Sequence, residues 1–212
     1  QVMNLNEVVS KNYLSLYWGG AMIGRFLGAI SLNQSISQAK KAIYMLAAAT
    51  LVFLVIFSIV NLTFAQISFF LVFIVLNFIA FFIGKAAPAR TLSIFAAINV
   101  ILLISAMVNH GEMAMYSILG IGIFNSIMFS NIYTLAISGL GKYTSQGSSL
   151  VVMAILGGAI VPIFQGYLAD HFGVQHSFII PVFCYLVILI FGAYCTKYLS
   201  HVQHDADAKS GH

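Results

Sequence analysis

Apolar residues dominate the chain in seven continuous runs, at 12–31, 42–60, 67–83, 92–108, 113–138, 148–169 and 177–198, separated by short polar links. The runs do not alternate apolar with polar positions, as the strands of a membrane barrel would. Each is about 17 to 26 residues long, enough to cross a hydrocarbon core of about 30 Å as an α-helix. In lipid the backbone must satisfy its own hydrogen bonds, which leaves helices as the spanning form for such runs. The expected fold is therefore an all-α membrane protein with about seven transmembrane helices. The links at 61–66 and 84–91 are short enough to force neighbouring spans antiparallel.

Composition sharpens this picture. Of 212 residues, 61% are hydrophobic and 7% are charged, against about 25% charged in an ordinary soluble domain. That is too little charge to coat a soluble core. The formal net charge of +4 does not point to nucleic acid, because the basic residues form no stripe. They instead orient the bundle by the excess of Lys and Arg on the cytoplasmic side. Lys40, Lys41, Lys85, Arg90, Lys142, Lys197 and Lys209 fall on one side of seven alternating spans. Lys11 falls on the other, with Glu7, His110, Glu112 and Asp170. Arg25 can snorkel to the lysine side. The expected topology is multi-pass, with the N-terminus outside and the C-terminus cytoplasmic. The polar tail, 199–212, is expected to be disordered. Cys184 and Cys195 sit eleven residues apart in one run, about 16 Å along a helix, and cannot bridge to each other.

Three groups of residues interrupt the apolar runs. Gly20, Gly24 and Gly28 form a ladder of small residues at four-residue spacing, the pattern that lets membrane helices approach closely. Arg25 lies within it. A charge inside a span is costly and faces protein or water, so these four residues are candidates for packing or gating. Gly157, Gly158, Pro162 and Gly166 weaken the sixth span, and Gly158 and Pro162 mark a candidate bend. The fifth span carries Asn125, Ser126, Ser130, Asn131, Tyr133 and Thr134. Neutral hydroxyl and amide groups match the hydroxyls of a sugar, each of which donates and accepts, without stranding a charge. Interhelical hydrogen bonding is the competing use of such groups. Asn77, Asn99 and Gln165 read as interhelical packing. No span contains a carboxylate. No phosphate-binding loop, metal-ligand spacing or nucleophile–base pair occurs, so neither an enzyme nor a cofactor or metal is expected.

Three segments carry a family resemblance: NYLSLYWGGAMIGRFLG (12–28), SIMFSNIYTLAISGLGKYTSQGSSLVVMAILGGAIVP (126–162) and GYLADHFG (166–173). They resemble the sugar transporters of the major facilitator superfamily, in particular the glucose/galactose and fucose/proton symporter branch. The resemblance implies the C-terminal bundle of a two-bundle fold, with the N-terminal bundle, its partner, absent from this chain. It implies secondary active transport of a hexose across a bacterial inner membrane by alternating access, coupled to protons through carboxylates of the absent bundle. It places Asn125, Ser130, Asn131 and Tyr133 on the helix that lines the sugar cavity. The chain departs from the family in an extra helix pair at about 42–83. The alternatives are a carrier of the same fold for another small neutral solute, or a membrane scaffold subunit that transports nothing.

Overall fold

The computed structural model describes residues 7–33, 37–59, 64–85 and 87–210. Their order is α1 (Glu7–Leu32), α2 (Gln38–Ile59), α3 (Phe64–Gly84), α4 (Pro88–Val108), α5 (Glu112–Asn125), α6 (Met128–Ile137), α7 (Thr144–Met153), α8 (Gly157–Phe172), α9 (Val174–Ser177) and α10 (Ile179–Ser210). Short 3₁₀ turns precede α7 and join it to α8. Among the described residues, five helical stretches are long and apolar enough to cross a membrane: Ala39–Ser58, Pro88–Val108, Glu112–Ile137, Gly141–Phe172 and Val174–Tyr198. Ser68–Gly84 is a shorter apolar helix. α1 is 26 residues long, but its apolar run is diluted by glycines, Ser15 and Arg25.

α4 lies at the centre, against α10 on one side and α5 on another. α1 packs on α5 and α2, while α3 closes against α4, α5 and α1. The core is aromatic. The Phe95 ring meets Phe81 edge to face at 4.8 Å and Phe124 at 5.4 Å, the arrangement the ring quadrupoles favour. α10 reaches α4 at Gly192, where an added Cβ would stand 2.6 Å from Ser93 Oγ.

Polar staples fix the helix ends. Lys41 is buried, and its Nζ donates to the Ser31 carbonyl at 2.8 Å, so a lysine of α2 caps the C-terminal end of α1. Gln175 Nε2 donates to the carbonyls of Ala106 and Asn109 at 3.3 and 2.7 Å, tying α9 to the end of α4. Asn99 Nδ2 donates to Met128 Sδ at 3.3 Å and links α4 to α6 as interhelical packing. Asn77 behaves differently. Its side chain is fully buried, and neither amide atom has a hydrogen-bond partner. Asn77→Leu should therefore stabilise the fold by about 1 kcal/mol, a modest gain because an unfolded helix in lipid also finds partners for its amide. A thermal melt in detergent checks this; a lowered melting temperature would mean that the amide is satisfied in the folded protein.

Two expectations change. The fifth run is not one helix: it breaks between Asn125 and Met128. The sixth extends from the turn at Gly141 to Phe172, and its interruption falls at Ala154–Leu156. Helix α10 is assigned from Ile179 to Ser210.

Candidate functional site

The break in the fifth run coincides with its polar cluster. Asn125 is the last residue of α5, Ser126 caps it, and Ile127 adopts φ −111°, ψ −3° before α6 begins. Helix ends leave carbonyls without intrahelical partners. Here Ser126 Oγ donates to the Ile123 carbonyl at 2.7 Å. Arg25 Nε, from α1, points to the Ser126 carbonyl at 3.4 Å, longer than an ordinary N–H···O bond and best read as a charge beside a helix end.

The glycine ladder lies directly against this joint. A Cβ on Gly20 would meet Ile123 Cγ1 at 2.7 Å, one on Gly24 would collide with Ser126 Oγ and the Ile123 carbonyl, and one on Gly28 would collide with Ile127 Cδ1. The three glycines, one turn apart on a single stripe of α1, thus follow the backbone of the joint step by step. Tyr17 extends the stripe one turn towards the N-terminus. Its ring covers Gly122, where a Cβ would stand 2.8 Å from the ring. Tyr17 was not among the residues singled out from the sequence. Its position in register with Gly20, Gly24 and Gly28 is the signal that marks it.

The candidate solute residues divide by exposure. Asn125, Ser130 and Thr134 are exposed, and Tyr133 is half-buried with its hydroxyl donating to Ser148 Oγ of α7 at 2.9 Å. Thr134 Oγ1 turns back to the Ser130 carbonyl at 2.9 Å, a local bond that Thr commonly makes in helices. Asn131 is 1% exposed and shares the inner face of α6 with Met128. Its Nδ2 is buried without a partner. The structure therefore brings Asn125, Ser130 and Tyr133 to or near an exposed surface and turns Asn131 into the bundle.

The gating and packing candidates also divide. Gly20, Gly24, Arg25 and Gly28 meet at the joint. Gly158 and Pro162 sit on α8, which has no buried residue within this chain. No atom comes within 4 Å of a Cβ placed on Gly157, Gly158 or Gly166. Pro162 stays inside a continuous α8, where its ring opposes the carbonyl four residues earlier; that residue is Gly158, whose lack of a side chain leaves room to adjust. Among the described residues, no group of three or more His, Cys, Asp or Glu side chains is placed to hold a metal ion.

No protein-family model matches the chain, and no solved structure matches it. Curated relatives do. A glucose/galactose transporter of Brucella abortus is 33% identical over 92% of this chain. A putative glucose/galactose transporter of Helicobacter pylori is 29% identical over 90% of it. The L-fucose-proton symporter of Escherichia coli is 33% identical over 53%. The chain spans 35%, 36% and 26% of the lengths of these relatives, about a third of the first two and a quarter of the third. The chain is thus an all-α, multi-pass membrane sequence related, along nearly its whole length, to bacterial glucose/galactose transporters and, over about half, to an L-fucose-proton symporter.

Proposed function

We propose that this chain forms the C-terminal part of a carrier that moves a hexose of the glucose, galactose or fucose type across the bacterial inner membrane. The observation that carries the reading is the 33% identity over 92% of the chain to a protein named for glucose and galactose transport. The exposed polar surface beside the α5–α6 joint supports it. Asn125, Ser130 and Tyr133 offer uncharged donors and acceptors that suit sugar hydroxyls. The unpartnered Gly157, Gly158 and Gly166 face of α8 would meet the remainder of the same protein, and transport would proceed by rocking of the two parts about a mid-membrane site. The coupling ion would be the proton. With no carboxylate inside the apolar runs of this chain, the proton relay would lie in the remainder. The C-terminus would be cytoplasmic, following the lysines.

The test is uptake of labelled glucose, galactose and fucose by the complete protein in proteoliposomes, with and without an imposed proton gradient. Asn125→Ala should raise KM for the preferred sugar by about tenfold, the loss of one good hydrogen bond to a buried solute. Asn131→Leu should leave KM unchanged, because Asn131 faces the bundle. Absence of uptake of all three sugars by the intact protein would sink the reading.

A further inference from the structure

Arg25 is exposed, and from Tyr13 to Leu32 the other residues of its helix are apolar or small. A guanidinium at membrane depth is tolerated where it faces water or protein polar groups. Here it faces the end of another helix. α5 stops at Asn125, so its aligned peptide dipoles leave about half a negative elementary charge at that end. The carbonyls of Ile123 and Ser126 lie there. Ser126 Oγ covers the first, and Arg25 Nε approaches the second at 3.4 Å. The approach depends on Gly24, next to Arg25 in sequence, because any side chain there would strike Ser126 and the Ile123 carbonyl.

Within its own sequence the joint is weakened by Ser126, whose Oγ bonds back to the Ile123 carbonyl. Residues 124–129 read FNSIMF, with neither Gly nor Pro. An unbroken helix through them would be expected from propensity alone. What surrounds the break also holds it, and among the described residues the cation that reaches it is Arg25. Asn125 lies on one side of the joint and Ser130 on the other, so the angle at Ser126–Ile127 sets how these two side chains stand to one another.

We propose that Arg25 is a positioning residue: its charge holds the broken α5–α6 helix in the bent arrangement that presents Asn125 and Ser130 together to a neutral, polyhydroxylated solute. The solute class rests on the function proposed above; the role of Arg25 in the joint does not. Arg25 touches the helix end and not the solute. Loss of its charge frees α6 to turn relative to α5, which changes the exposure of α6 positions and the affinity for solute together. A guanidinium and an ammonium both supply the charge, whereas an amide supplies a hydrogen bond without it.

The experiment uses the complete protein, purified and reconstituted, carrying Arg25→Lys or Arg25→Gln. A Thr134→Cys probe in an otherwise cysteine-free background reports on α6 through its rate of labelling by a water-soluble maleimide. Calorimetric titration with glucose, galactose and fucose, on versions without the probe, reports affinity. Arg25→Gln should change the labelling rate at least about threefold and weaken binding of the preferred sugar by about 5- to 30-fold, the upper part of the range for a charge at a helix end. Arg25→Lys should restore both to within about threefold, and folded yield should be equal in all. An unaltered labelling rate in Arg25→Gln overturns the proposal whatever the sugars do. So does a labelling change that Arg25→Lys fails to rescue, since the charge would then not be the cause. Failure of the intact protein to bind any of the three sugars, with labelling altered as expected, counts against the transport reading and leaves the positioning role standing.

Discussion

Gly24→Ala should destabilise the folded protein by about 3 kcal/mol, at the upper end of the usual cost of overpacking, and abolish most transport by the complete carrier. The size follows from what the new methyl group would strike. Beside Gly24 lies the Ile123 carbonyl, a backbone atom that no rotamer change can move, together with the Ser126 hydroxyl that caps it. Relief requires α1 and α5 to separate along the whole ladder. Gly28→Ala should cost only about 1 kcal/mol, because the methyl group would meet Cδ1 at the end of the Ile127 side chain, and Gly20→Ala about 2 kcal/mol, because it would meet Cγ1 of the fully buried Ile123. The phenyl ring of Phe70, 3.1 Å from a Cβ on Gly20, adds to the cost there. Thermal melts of the three variants in detergent decide the matter. Equal losses at all three positions would show that the ladder is only a smooth packing surface and that the joint has no special tightness. Gly158→Ala provides the contrast. Among the described residues nothing outside its own stretch of helix lies within 4 Å of a Cβ there, so a loss in the complete protein would point to contacts with its remainder.

Phe95→Ala should cost about 2–3 kcal/mol, less than the 3–5 kcal/mol typical of a soluble core. Phe95 is fully buried and meets Phe81 and Phe124 edge to face. In water the loss would include the transfer of a phenyl ring out of solvent. In a bilayer, an unfolded helix keeps that ring in hydrocarbon, so the transfer contribution nearly vanishes. What remains is the cavity and the two ring contacts, each worth about 0.5–1.5 kcal/mol. Phe183→Ala, at a residue 69% exposed, should change the melting temperature little. A Phe95→Ala shift no larger than that of Phe183→Ala would mean that the aromatic cluster does not hold the bundle together.

Much of the architecture was legible as a one-dimensional pattern because hydrocarbon permits few solutions. Long apolar runs had to be helices, and short links had to reverse the chain. Individual residues were legible only where their chemistry singled them out. The Gly20, Gly24 and Gly28 spacing pointed to close approach, and the structure sets α1 against α5 there. Asn131 looked equivalent to Asn125 and Ser130, since all are polar residues in one run. Once the run is broken, α6 starts afresh at Met128 and its own rotation turns Asn131 inward with Met128. Tyr17 went unremarked because a tyrosine in an apolar span has many uses, and its packing over Gly122 spans more than a hundred residues of sequence.

By itself the sequence determined that this chain is helical and embedded in membrane, that its polar residues are few and gathered between Asn125 and Thr134, and that it is akin to sugar carriers. Composition and periodicity suffice for the first two conclusions, because they depend on how each segment meets its solvent; the kinship rests on the resemblance of particular segments. Only the tertiary structure decided that the fifth run is two helices, that α1 lies along the break, and that Arg25 reaches the Ser126 carbonyl. No residue at the joint breaks a helix on its own. At the break, the bare Cα of Gly24 lets α1 come close to the Ile123 carbonyl, and Arg25, 101 residues from Ser126 in the chain, reaches the Ser126 carbonyl.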